Sequence, residues 1–169
     1  MPTPDVDVAR MIEVLFRHGV RFVVIGGFAI ELHDVPVPPT RDVDITPSRD
    51  DANLSHLVAA LVDLEARLRV GGGPAEGIEI PGGLTVEWLK AMVSMTFVTA
   101  AGPLDVSLIP DGTTGYDDLA QSLVLIDFNN LQVPVASLAD VIRSKEAAGR
   151  EKDLIVLSAL REHLRRSAR

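Results

Sequence analysis

The sequence predicts an α/β (α+β) fold in which a mixed or antiparallel sheet is flanked by helices and followed by a helical C-terminal segment. Three features carry that expectation. Val20-Arg21-Phe22-Val23-Val24-Ile25 is β-branched and apolar, as a buried strand is, and Gly26-Gly27 breaks it ahead of a helical stretch. After fourteen intervening residues, Asp42-Val43-Asp44-Ile45 alternates acid and aliphatic, as a strand with one wet and one buried face does. Beyond residue 137 the patterning is helical only.

In chain order, residues 5–18 have helical spacing through Val8, Met11, Ile12 and Leu15, with Asp5 and Asp7 in the first turn and Gly19 as a stop. Strand 20–25, helix 27–33 and strand 41–46 follow. The connector 34–40 contains three prolines, which remove N–H donors and fix φ, so it should form a stiff flap beside the site rather than a helix. Ser48 is placed to cap a long amphipathic helix from about Asp50 to Leu68, whose Leu54, Leu57, Val58, Leu61 and Leu64 make one apolar stripe. His56 falls on its surface side. Residues 71–83 hold six glycines and two prolines and read as a mobile loop with a short β segment at 78–80, a surface connection rather than a substrate lid.

Segments 95–99 and 104–109, joined by Ala100-Ala101-Gly102-Pro103, read as an antiparallel hairpin that puts Asp105 and Ser107 on one face and Val106 and Leu108 on the other. A short helix at 116–123 precedes strands 124–127 and 131–135, joined at Asn129-Asn130. Ser137 then caps a helix with Asp140 in its first turn, and a final helix spans 151–166. One domain is expected over 1–169, with a core of about 20–136 and a helical segment of about 137–169.

Composition narrows the function classes. Apolar residues make up 47% and charged residues 24%, which suits a globular chain and leaves no room for long disorder. No apolar stretch is long enough to cross a bilayer, and the start Met1-Pro2-Thr3-Pro4-Asp5 lacks the basic-then-apolar design of a signal peptide, so a cytoplasmic protein without membrane partners is expected. The absence of cysteine removes disulfides, thiolate zinc sites and cysteine nucleophiles, so any metal must be held by oxygen. The net charge of −8 opposes nucleic-acid binding. Its distribution softens this: residues 137–169 hold eight of the sixteen basic residues against five acids, giving +3 there and −11 over the remaining 136 residues. RNA contact, if made, should fall near the C-terminal helices. Alternatively, Arg161, Arg165, Arg166 and Arg169 complement the negative end of a terminal helix and stay solvated.

The chemistry begins at Asp42 and Asp44. Residues two apart in a strand project to the same face, about 6.6 Å apart, and two carboxylates held that way repel unless a cation lies between them. The strand, glycine turn and helix start at residues 20–33 leave bare backbone N–H groups where phosphate oxygens can approach. Neither feature is specific alone. Together, in this order, they describe a divalent-metal and nucleoside-triphosphate site.

An apolar residue, Gly-Gly or Gly-Ser, roughly ten to fourteen residues and then Asp-x-Asp between apolar neighbours is a pattern that resembles the polymerase-β-like nucleotidyltransferases. Gly26-Gly27-Phe28-Ala29-Ile30, His33 and Thr40-Arg41-Asp42-Val43-Asp44-Ile45 look most like the AbiEii and MenT type of nucleotidyltransferase toxins, which carry Gly-Gly and a Ser or Thr two residues before the first Asp. The likeness continues at residues 138–154, where Lys145 precedes Arg150-Glu151-Lys152-Asp153. It covers about residues 20–160, with 54–98 unmatched.

The resemblance implies a polymerase-β-like nucleotidyltransferase fold and two Mg²⁺ ions, for which Mn²⁺ can substitute, on Asp42, Asp44 and a third carboxylate, Asp105. It implies that Gly26, Gly27, Thr40, Arg41, Lys145 and Arg150 bind the NTP, and that Lys145 and Asp153 belong with the three acids in catalysis. The function it implies is a toxin that adds nucleotides, pyrimidine ones first, to the 3′ acceptor end of tRNA, blocks aminoacylation and is controlled by a cognate antitoxin acting by binding or by phosphorylation at Thr40. Two alternatives stand beside it. The acidic surface suits a small-molecule, aminoglycoside-like acceptor, against which Gly27 in place of Ser counts, and a non-catalytic toxin-antitoxin partner could retain the same carboxylates.

Overall fold

The computed structural model describes residues 6–169. Helix α1 (Val8–Arg17) leads into strand β1 (Phe22–Ile25), helix α2 (Gly26–Leu32), strand β2 (Val43–Pro47) and helix α3 (Asp51–Asp63). Strand β3 (Arg67–Arg69), helix α4 (Val86–Ala91), the hairpin β4 (Ser94–Thr99) and β5 (Gly102–Ser107), and helix α5 (Tyr116–Ala120) follow. The chain closes with the hairpin β6 (Val124–Phe128) and β7 (Leu131–Val135) and the helix pair α6 (Leu138–Ala148) and α7 (Glu151–Ser167).

The strands form one seven-stranded mixed sheet in the order β3-β4-β5-β2-β1-β7-β6. The pairs β1–β7 and β2–β5 are parallel and the other four antiparallel. Alternation sets the faces: Val43, Ile45, Leu104, Val106, Met95 and Phe97 are buried together, while Asp44, Asp105 and Thr96 share the opposite face. Both hairpins turn on two residues. Asn129 and Asn130 take φ of 53° and 62°, the left-handed pair that matches strand twist.

Several expected boundaries move. Asp5 lies outside the described residues, and Asp7 is the N-cap of α1, accepting from the Arg10 N–H at 3.0 Å, rather than a first-turn acid. Asp50, not Ser48, caps α3; the Ser48 hydroxyl instead donates to Asp50 at 2.7 Å. That helix ends at Asp63, short of Leu68. Glu65 adopts φ 54°, and Arg67 to Arg69 peel away to pair with β4, because sheet edge hydrogen bonds replace the helical ones although Leu64 still continues the apolar stripe. The β4–β5 turn is Ala100-Ala101, so Pro103 lies within the second strand, opposite Val98. Segment 78–80 contributes an isolated bridge, Ile78 to Leu68. Ser137 caps α6 as expected, accepting from the Asp140 N–H at 3.1 Å. Among the described residues, no helix is long and apolar enough to cross a membrane.

Candidate active site

The sheet brings the acids of β2 to the acid of β5. Ile25 pairs with Asp44, and Asp44 pairs with Asp105 across parallel strands, so both carboxylates rise from the same face beside the end of β1. Asp42 sits in the bend just before β2, and one carboxylate oxygen from each of the three lies within 4.8 Å of the others. Thr40 fixes Asp42. Its hydroxyl donates to Asp42 Oδ1 at 2.6 Å, and its own N–H is held by the Glu31 carboxylate.

This cluster is electrostatically loaded. Burial first, then a hydrogen bond with Asp105 and the charges of Asp105 and Asp42, push the Asp44 carboxyl up to about 8 against the opposing pull of Lys145. Asp105 Oδ1 is buried with no hydrogen-bond partner. An acid held neutral beside an unpartnered carboxylate oxygen is a donor set that a hard divalent cation would complete, so the residues fit such an ion.

Each glycine of the pair is required by a different neighbour. Gly26 takes φ +67°, and a Cβ there would stand 2.2 Å from Asp44 Oδ2. Gly27 lies outside the left-handed region, but its Cβ would stand 2.9 Å from the Cβ of Thr40. The second glycine is therefore the counterpart of Thr40.

The facing wall comes from the last two helices. Gly149 turns the chain at φ 62°, which lets α7 start at once and return Asp153 to Lys145. Lys145 Nζ donates to Asp153 Oδ1 at 3.0 Å and Arg150 Nε to Asp153 Oδ2 at 2.7 Å. Burial of Asp153 works to raise its pKa, yet the hydrogen bonds and charges of Arg150 and Lys145 outweigh it and hold the carboxyl below the usual range. Asp153 thus stays ionised and holds the Lys145 ammonium at the cleft, which has a volume of about 730 Å³.

All the residues expected at the site line this cleft except Arg41, which is exposed and outside the lining. Val37, Pro38 and Pro39 of the flap also line it, whereas residues 71–83 do not. Sequence reasoning missed Ser94, Thr96, Asp111 and Ser144 and did not assign Asp140 to the cleft. The hydroxyls of Ser94 and Thr96 were visible in principle, since they alternate with Met95 and Phe97 opposite Ser107 and Asp105. Asp140 required the fold: one of its oxygens accepts from Arg143 at 3.0 Å and the other is buried without a partner.

The cations expected to grip RNA are largely engaged elsewhere. Arg143 makes a two-pronged pair with Asp118 at 3.0 and 3.1 Å, Arg161 pairs with Glu146 at 2.5 Å, and Arg165 and Arg166 share Glu162 at 2.7 and 3.0 Å. Among the cations expected at the NTP, Lys145 has a role that can be separated from structure by kinetics. Lys145→Ala should lower nucleotidyl transfer at least tenfold, about 1.4 kcal/mol of transition-state stabilisation. Because it strips a partner from buried Asp153, it should also cost roughly 1–3 kcal/mol of stability. Full activity with a lowered melting temperature would make Lys145 purely structural.

Known structures share this architecture. The lincomycin-bound crystal structure of the lincosamide antibiotic adenylyltransferase LnuA superposes with a TM-score of 0.61 at 14% identity, covering 93% of this chain and 98% of that one. The solution structure of the antibiotic-resistance factor ANT(2'')-Ia gives 0.59 at 13% identity over 93% and 82% of the two chains. The crystal structure of TM1012 from Thermotoga maritima gives 0.51 at 16% identity over 94% and 91%. No curated protein matches the chain in sequence. A family described as nucleotidyltransferases of unknown function (DUF6036) matches residues 6–163, a span that includes every residue of the cleft, and this chain belongs to it.

Proposed function

We propose that the chain transfers the nucleotidyl group of an NTP to a hydroxyl of a small, cationic acceptor, with Mg²⁺ (or Mn²⁺) held by Asp42, Asp44 and Asp105. The convergence of these three acids beside Gly26, facing Lys145, carries the reading. Such ions, when bound, neutralise the triphosphate and make the acceptor hydroxyl more nucleophilic. Gly26 and Gly27 leave the backbone open to phosphate oxygens, and Lys145 and Arg150 offer positive charge to the leaving pyrophosphate. Asp105 takes the acceptor's proton as the new oxygen–phosphorus bond forms and the bond from the α-phosphorus to pyrophosphate breaks.

The placement of cations in the cleft supports this acceptor class, although the wall that carries them also carries Asp140 and Asp153. The cations, Lys145, Arg150 and Lys152, all come from α6 and the residues after it, while the β4–β5 side offers Ser94, Thr96, Ser107, Asp105 and, just beyond, Asp111. Among the described residues no aromatic side chain lines the cleft for a base to stack on. An RNA end is gripped by clustered cations and stacking; a cationic polyol is gripped by acids and hydroxyls. Gly27 no longer counts against a small acceptor, because Thr40 requires it sterically.

A second reading is the tRNA-modifying toxin with a cognate antitoxin. It is favoured by the residues on which that resemblance rests, Thr40 bonded to Asp42 and the Lys145–Asp153–Arg150 cluster, meeting in one cleft. Labelled NTPs with Mg²⁺ should be offered both total tRNA and a panel of cationic hydroxyl compounds. Label is expected in the panel and not in RNA. Label at tRNA 3′ ends, with growth arrest on expression, would replace the first reading by the second, and no transfer to either would count against both.

A further inference from the structure

His33 lies outside the lining of the cleft, yet it closes the frame around it. It stands at the C-terminal cap of α2, and its ring Nε2 meets the C=O of Ala136 at 2.8 Å, across 103 positions of chain. A carbonyl only accepts, so Nε2 carries the proton and donates. The Ala136 N–H is engaged as well, by the C=O of Val24 at 2.9 Å. Both backbone groups of this one buried residue therefore hold the strand, glycine turn and helix at residues 22–33. The N–H grips the end of β1 and the C=O grips the end of α2, one on each side of Gly26-Gly27.

Helix α6 hangs from Ala136. Ser137 caps it, and Lys145 follows eight residues beyond Ser137, about 12 Å along the axis. The other polar ties of α6 lead away from α2: Arg143 to Asp118 of α5, Lys145 to Asp153 and Glu146 to Arg161, both of α7. Among the described residues, the His33 bond is the only side-chain hydrogen bond that joins the α2 end to the start of α6. A swing of about 5° at that start carries the Lys145 position by about 1 Å, and a misplacement of that size in a site can cost about a hundredfold in rate.

We propose that His33 is a positioning residue, which holds the Lys145 wall of the cleft at its working distance from the glycine turn and Asp44. The proposal rests on the nucleotidyl-transfer reading only in that Lys145 meets the phosphates of the NTP. His33 acts through Lys145 and touches neither the nucleotide nor the carboxylates, so removing it should cost no more than removing Lys145 itself.

Binding of inorganic pyrophosphate with Mg²⁺, followed by titration calorimetry, tests this without an acceptor or a nucleobase. His33→Leu should weaken binding about fivefold or more, and His33→Gln, whose amide can place an N–H where Nε2 stood, should stay within about twofold of the parent. In a Lys145→Ala background His33→Leu should cost nothing further, because the group it positions is gone, whereas a purely structural loss would add. His33→Ala, which leaves room for a water at the Ala136 C=O, gives the same comparison should the leucine variant not fold. Unchanged binding on loss of the imidazole, equal weakening in His33→Gln, or full additivity with Lys145→Ala would each overturn the proposal. A parent that binds no pyrophosphate would count against nucleotidyl transfer instead, and crystal structures of parent and variant would then decide the role of His33. A shift of about 1 Å between Lys145 Nζ and Asp44 upholds it, and an unmoved α6 overturns it.

Discussion

Replacing Asp42 and Asp44 together by Asn should lower nucleotidyl transfer by about a thousandfold or more, roughly 4 kcal/mol of transition-state stabilisation, while leaving the metal-free protein more stable than its parent at pH 8. The stability half follows from the load on Asp44. Its folded pKa, about 8, lies above that of an unfolded carboxyl, so the bound proton favours the fold. That contribution is complete below about pH 4 and is lost as pH rises through 8. The metal-free parent should therefore lose on the order of a few kcal/mol across this window, and the variant should not.

Divalent ion should reverse the loss in the parent alone. Ion at a hundred times its dissociation constant adds about 2.7 kcal/mol to a folded state that binds it, and binding near pH 7 should release the Asp44 proton. Thermal melts at pH 5 and 8, with and without Mg²⁺, read all of this. Equal metal-induced shifts in parent and variant would remove the metal site.

Gly26→Ala should be nearly as damaging from a single methyl group. The left-handed φ costs about 1–2 kcal/mol for a residue with a Cβ, and the methyl would collide with Asp44 Oδ2. The carboxylate must move or the turn must open. Transfer should fall by about a hundredfold or more, near 2.7 kcal/mol, and the melting temperature should drop with it. By contrast, Ala at Gly82, which has an equally left-handed φ but no atom within 4 Å of its Cβ, should lower stability alone. Equal activity in the two variants would mean that Gly26 serves the backbone and not the site.

The parts of the fold readable in the sequence were those whose periodicity and punctuation agree. Strand β1 is a branched run stopped by glycine, β6 is a short apolar run and β7 an alternating one on either side of Asn129-Asn130, and α6 follows a serine cap. Where tertiary pairing competes with local pattern, reading failed. Leu64 prolongs the stripe of α3 past its end, and only the partner strand β4 shows that Arg67 to Arg69 is sheet. Helix α4 has six residues and one fully buried side chain, too few for a period to emerge. The acids of the cleft were legible because Asp42-x-Asp44 is local and Asp105 alternates with buried neighbours. The engagement of Arg143 was not, since Asp118 lies 25 residues away and meets it only in the folded chain.

The pairing of Asp44 with Asp105 joins residues far apart in the chain through a parallel register, and registers move only in whole residues. A slip of one would send Asp105 to the buried face and bring an aliphatic neighbour into the cleft. Intermediate arrangements, with the acid slightly displaced and activity slightly reduced, do not exist along that coordinate. A population of this protein that refolds imperfectly should therefore contain fully competent and wholly incompetent molecules, so its specific activity would count correctly registered sheets rather than measure average quality.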